Sequence, residues 1–285
     1  MDMFLLCLYL LGLCYLGYCT LMLSQPSNPP HLKWLDRFIF SFPLGIGLII
    51  IPLFFANQFL QIPITRVSIL IMTGGMVLMA SGLRRKYSPN KNITFRYHPV
   101  KQMSQGFYTL WEKASALSTP EKYVGILITL TLTVGGCLIL FFPMHSADVY
   151  IYHLPIAKVI FNTGFLPEPA GPGWVDATIP HSPLVFIYYG ANWLVYGTVE
   201  YIIPKMSSFL FGILLLGVVY SIVRELLDSS KMAGLISILL SLEIQSFNRQ
   251  LLQENIDFPV GFFSWQFLFC STGFQTTEHQ GVNTW

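Results

Sequence analysis

The sequence predicts an all-α fold, a polytopic transmembrane helical bundle of about seven spans, and three observations make that prediction. Of 285 residues 53% are hydrophobic and only 11% charged, whereas about a quarter of a soluble domain is charged. Several windows stay apolar over the roughly 20 residues a helix needs to cross a hydrocarbon core. These windows are too long for barrel strands of about ten residues, and helices or closed barrels alone satisfy their backbone groups in lipid. The net charge of +2 identifies no partner, because charge in a membrane protein acts by position. Nothing in the sequence suggests nucleic-acid binding.

The first apolar run, Met3 to Leu23, has Asp2 as its only early charge and is followed by "SQPSNPPH". A secretory leader opens with basic residues and ends at a small-residue cleavage site, so this run reads as an uncleaved span. Further spans are expected at about Phe38 to Phe55, Ile64 to Gly82, Tyr123 to Pro143, Pro204 to Val223, a short Met232 to Ser246, and Phe258 to Thr272. Gly135 and Gly136 in the fourth span predict a close helix contact. The cysteines Cys7, Cys14, Cys19, Cys137 and Cys270 lie in or beside apolar runs without CxxC spacing. They read as small apolar residues and not as disulfides or metal ligands.

Orientation follows from the basic residues. The segment Leu83 to Glu121 carries Arg84, Arg85, Lys86, Lys91, Arg96, Lys101 and Lys113 against Glu112 and Glu121, and so is expected in the cytoplasm. Counting outward, the N-terminus, the Asp148 loop and "NRQLLQENID" fall on the outer face, while "SNPPHLKWLDR" and "RELLDSSK" fall inside. The sequon at Asn92 to Thr94 then lies on the cytoplasmic side and is expected to be unused. This count needs residues 148–203 to cross the membrane an even number of times. Pro155, Pro167, Pro169, Pro172, Pro180 and Pro183 exclude a span from its first part. Ser182 to Gly197, rich in aromatics, is expected to form an interfacial helix along the outer leaflet. The organisation is therefore an N-terminal three-span extension with a basic loop over residues 1–121, a core over 122–272 with its large outer loop at 144–203, and a polar tail at 273–285. That tail ends without a closing helix, and the chain reads as C-terminally truncated.

Three stretches carry candidate chemistry. In "HSADVYIYHLPIAKVIFNTG", Asp148 and Tyr152 are four residues apart and share a helix face, whereas His153 is rotated away. A carboxylate at the mouth of a span is a functional candidate; it is equally a helix N-terminal acid favoured by the macrodipole. In "QENIDFP", Glu254 and Asp257 share a face just before Pro259. Two acidic spots on one membrane side can hold a divalent cation or act as base and electrostatic partner; ordinary loop solvation is the alternative. In "IPHSPL", His181 sits between two prolines that stiffen its backbone, as a phosphate contact, a proton-transfer group or an incidental loop residue. Lys158 and Arg249 are outer-face cations able to meet a phosphate or to snorkel.

The order of these elements resembles the GT-C superfamily of polytopic glycosyltransferases. That superfamily includes protein O-mannosyltransferases, the aminoarabinose transferase of lipid A and the RgtA/B/C/D-like bacterial enzymes. The similarity covers roughly Tyr123 to Phe269: a span, "ADVYIYHLPIAKVIFNTG", a proline-rich loop, "HSPL", an aromatic helix ending at Gly197, "VYSIVREL", another span and "RQLLQENIDFPVGFF". It implies transfer of a sugar from a polyprenyl-phosphate-linked donor to a glycan, lipid or protein acceptor at the outer face of the plasma (inner) membrane. Asp148 matches the acid of the first outer loop, a catalytic base or metal holder. Asp257 matches that of the second, with Glu254 beside it, so these three are the candidate ligands of Mg²⁺ or Mn²⁺. "HSPL" stands where some members have a "KPPL"-like turn on the carrier phosphate, and neutral imidazole attracts an anion less than lysine does. Tyr152, His153, Lys158, His181 and Arg249 complete the substrate-binding set, with Trp174 and Trp193 as sugar-site aromatics or interfacial anchors. Members of the superfamily continue for further spans. The rival classes are a transporter or flippase, against which stand candidate acids clustered in outer loops and no internal repeat, and a noncatalytic truncated membrane protein.

Overall fold

The computed structural model describes residues 2–24, 34–87, 116–141, 154–167, 183–227 and 230–244, with the side chains of 24, 34–36, 38 and 225 outside that description. Within these residues the regular elements are helices α1 (Asp2–Ser24), α2 (Trp34–Leu60), α3 (Arg66–Tyr87), α4 (Thr119–Phe141), α5 (Leu154–Thr163), α6 (Pro183–Tyr196), α7 (Ile202–Leu226) and α8 (Lys231–Glu243). Five of them, α1, α2, α3, α4 and α7, are long and apolar enough to cross a membrane. The chain is thus a helical, multi-pass membrane protein by architecture. At 13 residues, α8 spans about 20 Å, short of the roughly 30 Å hydrocarbon thickness. The expected seventh span, residues 258–272, lies outside the described residues.

Local chemistry sets the helix ends. Thr65 and Ser68 cap α3 reciprocally: the Ser68 amide donates to Thr65 Oγ1 at 3.1 Å and the Thr65 amide to Ser68 Oγ at 2.8 Å. "STPE" builds a similar box on α4, where the Ser118 amide and hydroxyl both donate to Glu121 Oε2, at 2.7 and 2.9 Å. Ser230 Oγ accepts from the Ala233 amide at the start of α8. Helices α5 and α6 stop at glycines in the left-handed region, Gly164 at φ +77° and Gly197 at φ +95°. Pro43 and Pro52 lie inside α2, and each removes one backbone hydrogen bond from the helix.

α1 is the hub, packing on α2, α3 and α6, while α2 also meets α6 and α7. The three N-terminal helices therefore share one core with α6 and α7. Leu13, Cys19, Ile49, Ile69, Ala157, Ile187, Ala191 and Trp193 are fully buried there. α4 and α3 are mostly uncovered, with 11% and 17% of their apolar windows buried, which leaves faces suited to lipid. Gly136 packs on Phe209 of α7, in line with the predicted contact in the fourth span.

The expected surface helix of the outer loop is placed differently. α6 is helical and too short to cross, but it is buried, with Tyr188 at 3%, Tyr189 at 0% and Trp193 at 0% exposure. Gly197 meets the Asp2 carboxylate, whereas Tyr188 lies near Tyr9 and Cys14 of α1. The helix therefore runs antiparallel to α1 and descends into the bundle. Its aromatics satisfy their polar atoms inside the protein: Trp193 Nε1 donates to the Glu200 carbonyl at 2.8 Å. Aromatic richness alone does not separate this arrangement from interfacial anchoring.

Asp2 and Arg66 form an ion pair of 2.7 Å that joins the starts of α1 and α3 next to Gly197. Both partners are substantially exposed, so water screens the pair and Arg66→Ala is expected to leave the unfolding temperature almost unchanged. Thermal unfolding in detergent with and without added salt checks this.

Candidate functional site

The packing sorts the charges to two ends. At one end lie Asp2, Arg66, Gly164, Gly197 and the start of α7, joined by the Asp2–Arg66 pair and by the Ile64 amide donating to the Gly164 carbonyl at 2.7 Å. The other end carries the basic terminus of α3, with Arg84 over the Tyr18 ring at 5.1 Å, and Arg224 at the end of α7. Glu121 at the start of α4 feels Lys231 at the start of α8, so these belong to that basic end too.

Of the singled-out residues, Lys158 is described. It is exposed on α5, opposite a buried face of Leu154, Ile156, Ala157 and Ile160, a placement open to both anion contact and snorkelling. Asp148, Tyr152, His153, His181, Arg249, Glu254 and Asp257 lie outside the described residues, as do Trp174 and the Asn92 sequon. Their flanking helices are described. Residues 142–153 follow α4, whose Ile139 lies beside Lys205 near the start of α7, at the Asp2 end of the bundle. Among the described residues no group of three His, Cys, Asp or Glu is placed to hold a metal ion.

What sequence reading missed is a buried polar seam in an otherwise apolar bundle. Lys205 of α7 is only 7% exposed, and its Nζ donates to the Ile139 carbonyl at 3.4 Å. A cation beside the carboxyl end of α4 is favoured by the macrodipole, and a buried lysine within an apolar span is a functional candidate in its own right. Two rungs tie α6 to α7: Tyr188 Oη with Ser207 Oγ, and Tyr189 Oη with Ser208 Oγ, each at 3.3 Å. Ser207 Oγ already donates to the Ile203 carbonyl at 2.8 Å, which leaves Tyr188 Oη to donate on that rung. The signal was present as "PKMSS" and "YYGAN", polar residues interrupting apolar runs; the hydropathy average concealed it.

A second polar knot fixes the segment that follows α5. Asn57, 2% exposed near the end of α2, donates to the Ile62 and Gly164 carbonyls at 3.0 and 2.9 Å and accepts from the Leu166 amide at 3.0 Å. α5, which leads out of the Asp148 stretch, is thereby locked to the α2–α3 turn.

Compared with known proteins, the chain matches no family model, no curated protein and no solved structure.

Proposed function

We propose that the chain is a GT-C-type membrane glycosyltransferase that moves a sugar from a polyprenyl-phosphate-linked donor to a hydroxyl-bearing glycan, lipid or protein at the outer face of the plasma (inner) membrane. The observation that carries this reading is the order of "ADVYIYHLPIAKVIFNTG", "HSPL" and "RQLLQENIDFP" among apolar helices. The sorting of Arg84, Arg85, Lys86, Arg224 and Lys231 to the end opposite Asp2 supports an outer location for the N-terminus and the Asp148 loop. In this reading the outer loop 144–203 contributes α5 and α6, and the count rises to about seven spans with α8 and residues 258–272.

In the proposed reaction the acceptor oxygen attacks the anomeric carbon as its proton passes to the Asp148 carboxylate. The bond from that carbon to the phosphate oxygen breaks, and its electron pair leaves with the carrier phosphate. Asp148, Glu254 and Asp257 form an all-oxygen donor set of the kind that takes Mg²⁺ or Mn²⁺, which would supply charge neutralisation at the leaving phosphate. Tyr152, His153, Lys158, His181 and Arg249 are assigned to donor and carrier binding.

A second reading, a transporter or flippase, is favoured by one observation: Lys205 is buried inside a candidate span beside helices too short to cross. Proteoliposomes separate the two. The enzyme reading expects sugar transfer from a polyprenyl-phosphate donor and none from nucleotide sugars. Movement of a labelled lipid-linked sugar across the bilayer without any transfer would replace it with the transporter reading.

A further inference from the structure

Three side-chain atoms at the centre of the bundle have no hydrogen-bond partner among the described residues: Tyr9 Oη, Asn192 Nδ2 and Asn192 Oδ1. Tyr9 is 2% exposed and Asn192 0%. They belong together. Tyr9 of α1 lies close enough to Tyr188 for the two phenols to interact, and Asn192 is one turn beyond Tyr188 on α6 and within its reach. Thr73 of α3, whose Oγ1 is likewise unpartnered and whose methyl packs on Gly12, extends the polar set one turn along α1.

A buried amide left wholly unpaired is strongly unfavourable, and native interiors avoid it by direct bonds or by enclosed water. Tyr188 comes within reach of Asn192, but the described residues leave the Tyr9 hydroxyl and the amide of Asn192 without a hydrogen bond of good geometry. The group offers donors at Asn192 Nδ2 and Tyr9 Oη and acceptors at Asn192 Oδ1 and both phenols, with no charged member. This is the complement of a small neutral molecule that both donates and accepts, and a buried water needs two to four such partners. A charged ligand would meet no opposite charge, and a sugar or lipid headgroup would need an opening that side chains 0–3% exposed do not give.

We propose that Tyr9, Tyr188 and Asn192 form a buried water-binding site that joins α1 to α6 within the membrane-embedded core. The site holds α6 in place by bridged hydrogen bonds, where an apolar seam would hold it by packing alone. It is independent of the glycosyltransferase reading.

Radiolytic hydroxyl labelling of the full chain in nanodiscs, read by mass spectrometry, tests it, because radicals form from bound water inside the protein. Trp193 is the internal control: it is equally buried and its Nε1 is already paired with Glu200. Tyr9 and Tyr188 are expected to label several-fold faster than Trp193, and Asn192→Leu to reduce that labelling and lower the unfolding temperature. Labelling of both tyrosines no faster than Trp193, or a rise in unfolding temperature for Asn192→Leu, would show a dry site and overturn the proposal. Should Asn192→Leu fail to fold, Tyr9→Phe serves: Tyr188 labelling then falls if water is shared between them and stays unchanged if it is not.

Discussion

Gly17→Ala is expected to separate α1 from α2 and to destabilise the bundle by about 3 kcal/mol or more, the upper end of what overpacking a core does. A Cβ on Gly17 would overlap the Ser41 carbonyl, and one on Gly45 would overlap the Leu13 carbonyl. Both obstacles are backbone, so no rotamer change relieves them and the helix axes must move apart. That movement opens the contacts of Leu13, Leu16, Ile46 and Ile49, all 3% exposed or less. Small residues permit this close approach in membranes, where packing supplies much of the association energy. Gly74→Ala and Gly75→Ala in α3 are the controls. A Cβ there meets nothing within 4 Å, so alanine is expected to be neutral or to stabilise the helix by about 0.5–1 kcal/mol. Thermal unfolding of the three variants in one detergent checks the contrast in sign.

Asn57→Leu is expected to have the next largest effect. The substitution keeps the γ-branched outline of the side chain and removes three hydrogen bonds, leaving the Leu166 amide and the Ile62 carbonyl without the partners they have now. At about 1 kcal/mol per bond the loss is about 3 kcal/mol, roughly two orders of magnitude in the opening equilibrium of this segment. The effect should be local: hydrogen exchange at Leu166 rises sharply while that of the Leu13 and Ile49 core is unchanged. In the proposed enzyme the same substitution loosens α5 and is expected to weaken transfer without touching the reacting groups.

The long apolar runs of α1, α2, α3, α4 and α7 were legible because hydropathy over some 20 residues measures what lipid requires. The capping boxes "TRVS" and "STPE" were equally present in sequence, since they act within four residues. α6 was legible as a helix but not as a buried one: its ring-rich surface satisfies a headgroup interface or a protein interior, and only the position of α1 beside it decides. Asn57 and Lys205 were passed over because each is one polar residue in an apolar window, and their partners lie 107 and 66 residues away. Gly17 and Gly45 were overlooked for a related reason, since their importance resides in the backbone of the facing helix.

Catalysis by the two carboxylates proposed for the outer face is tested most directly by measuring transfer from a panel of polyprenyl-phosphate sugars by the nanodisc-held chain and by its Asp148→Asn and Asp257→Asn variants. Each change removes a charge with almost no change in shape. Loss of a general base lowers the rate by about 10²–10⁴-fold, and a loss of that order is expected for Asp148→Asn, with a large loss for Asp257→Asn and unaltered folding of both. Transfer that proceeds at the same rate in both variants would contradict the assignment.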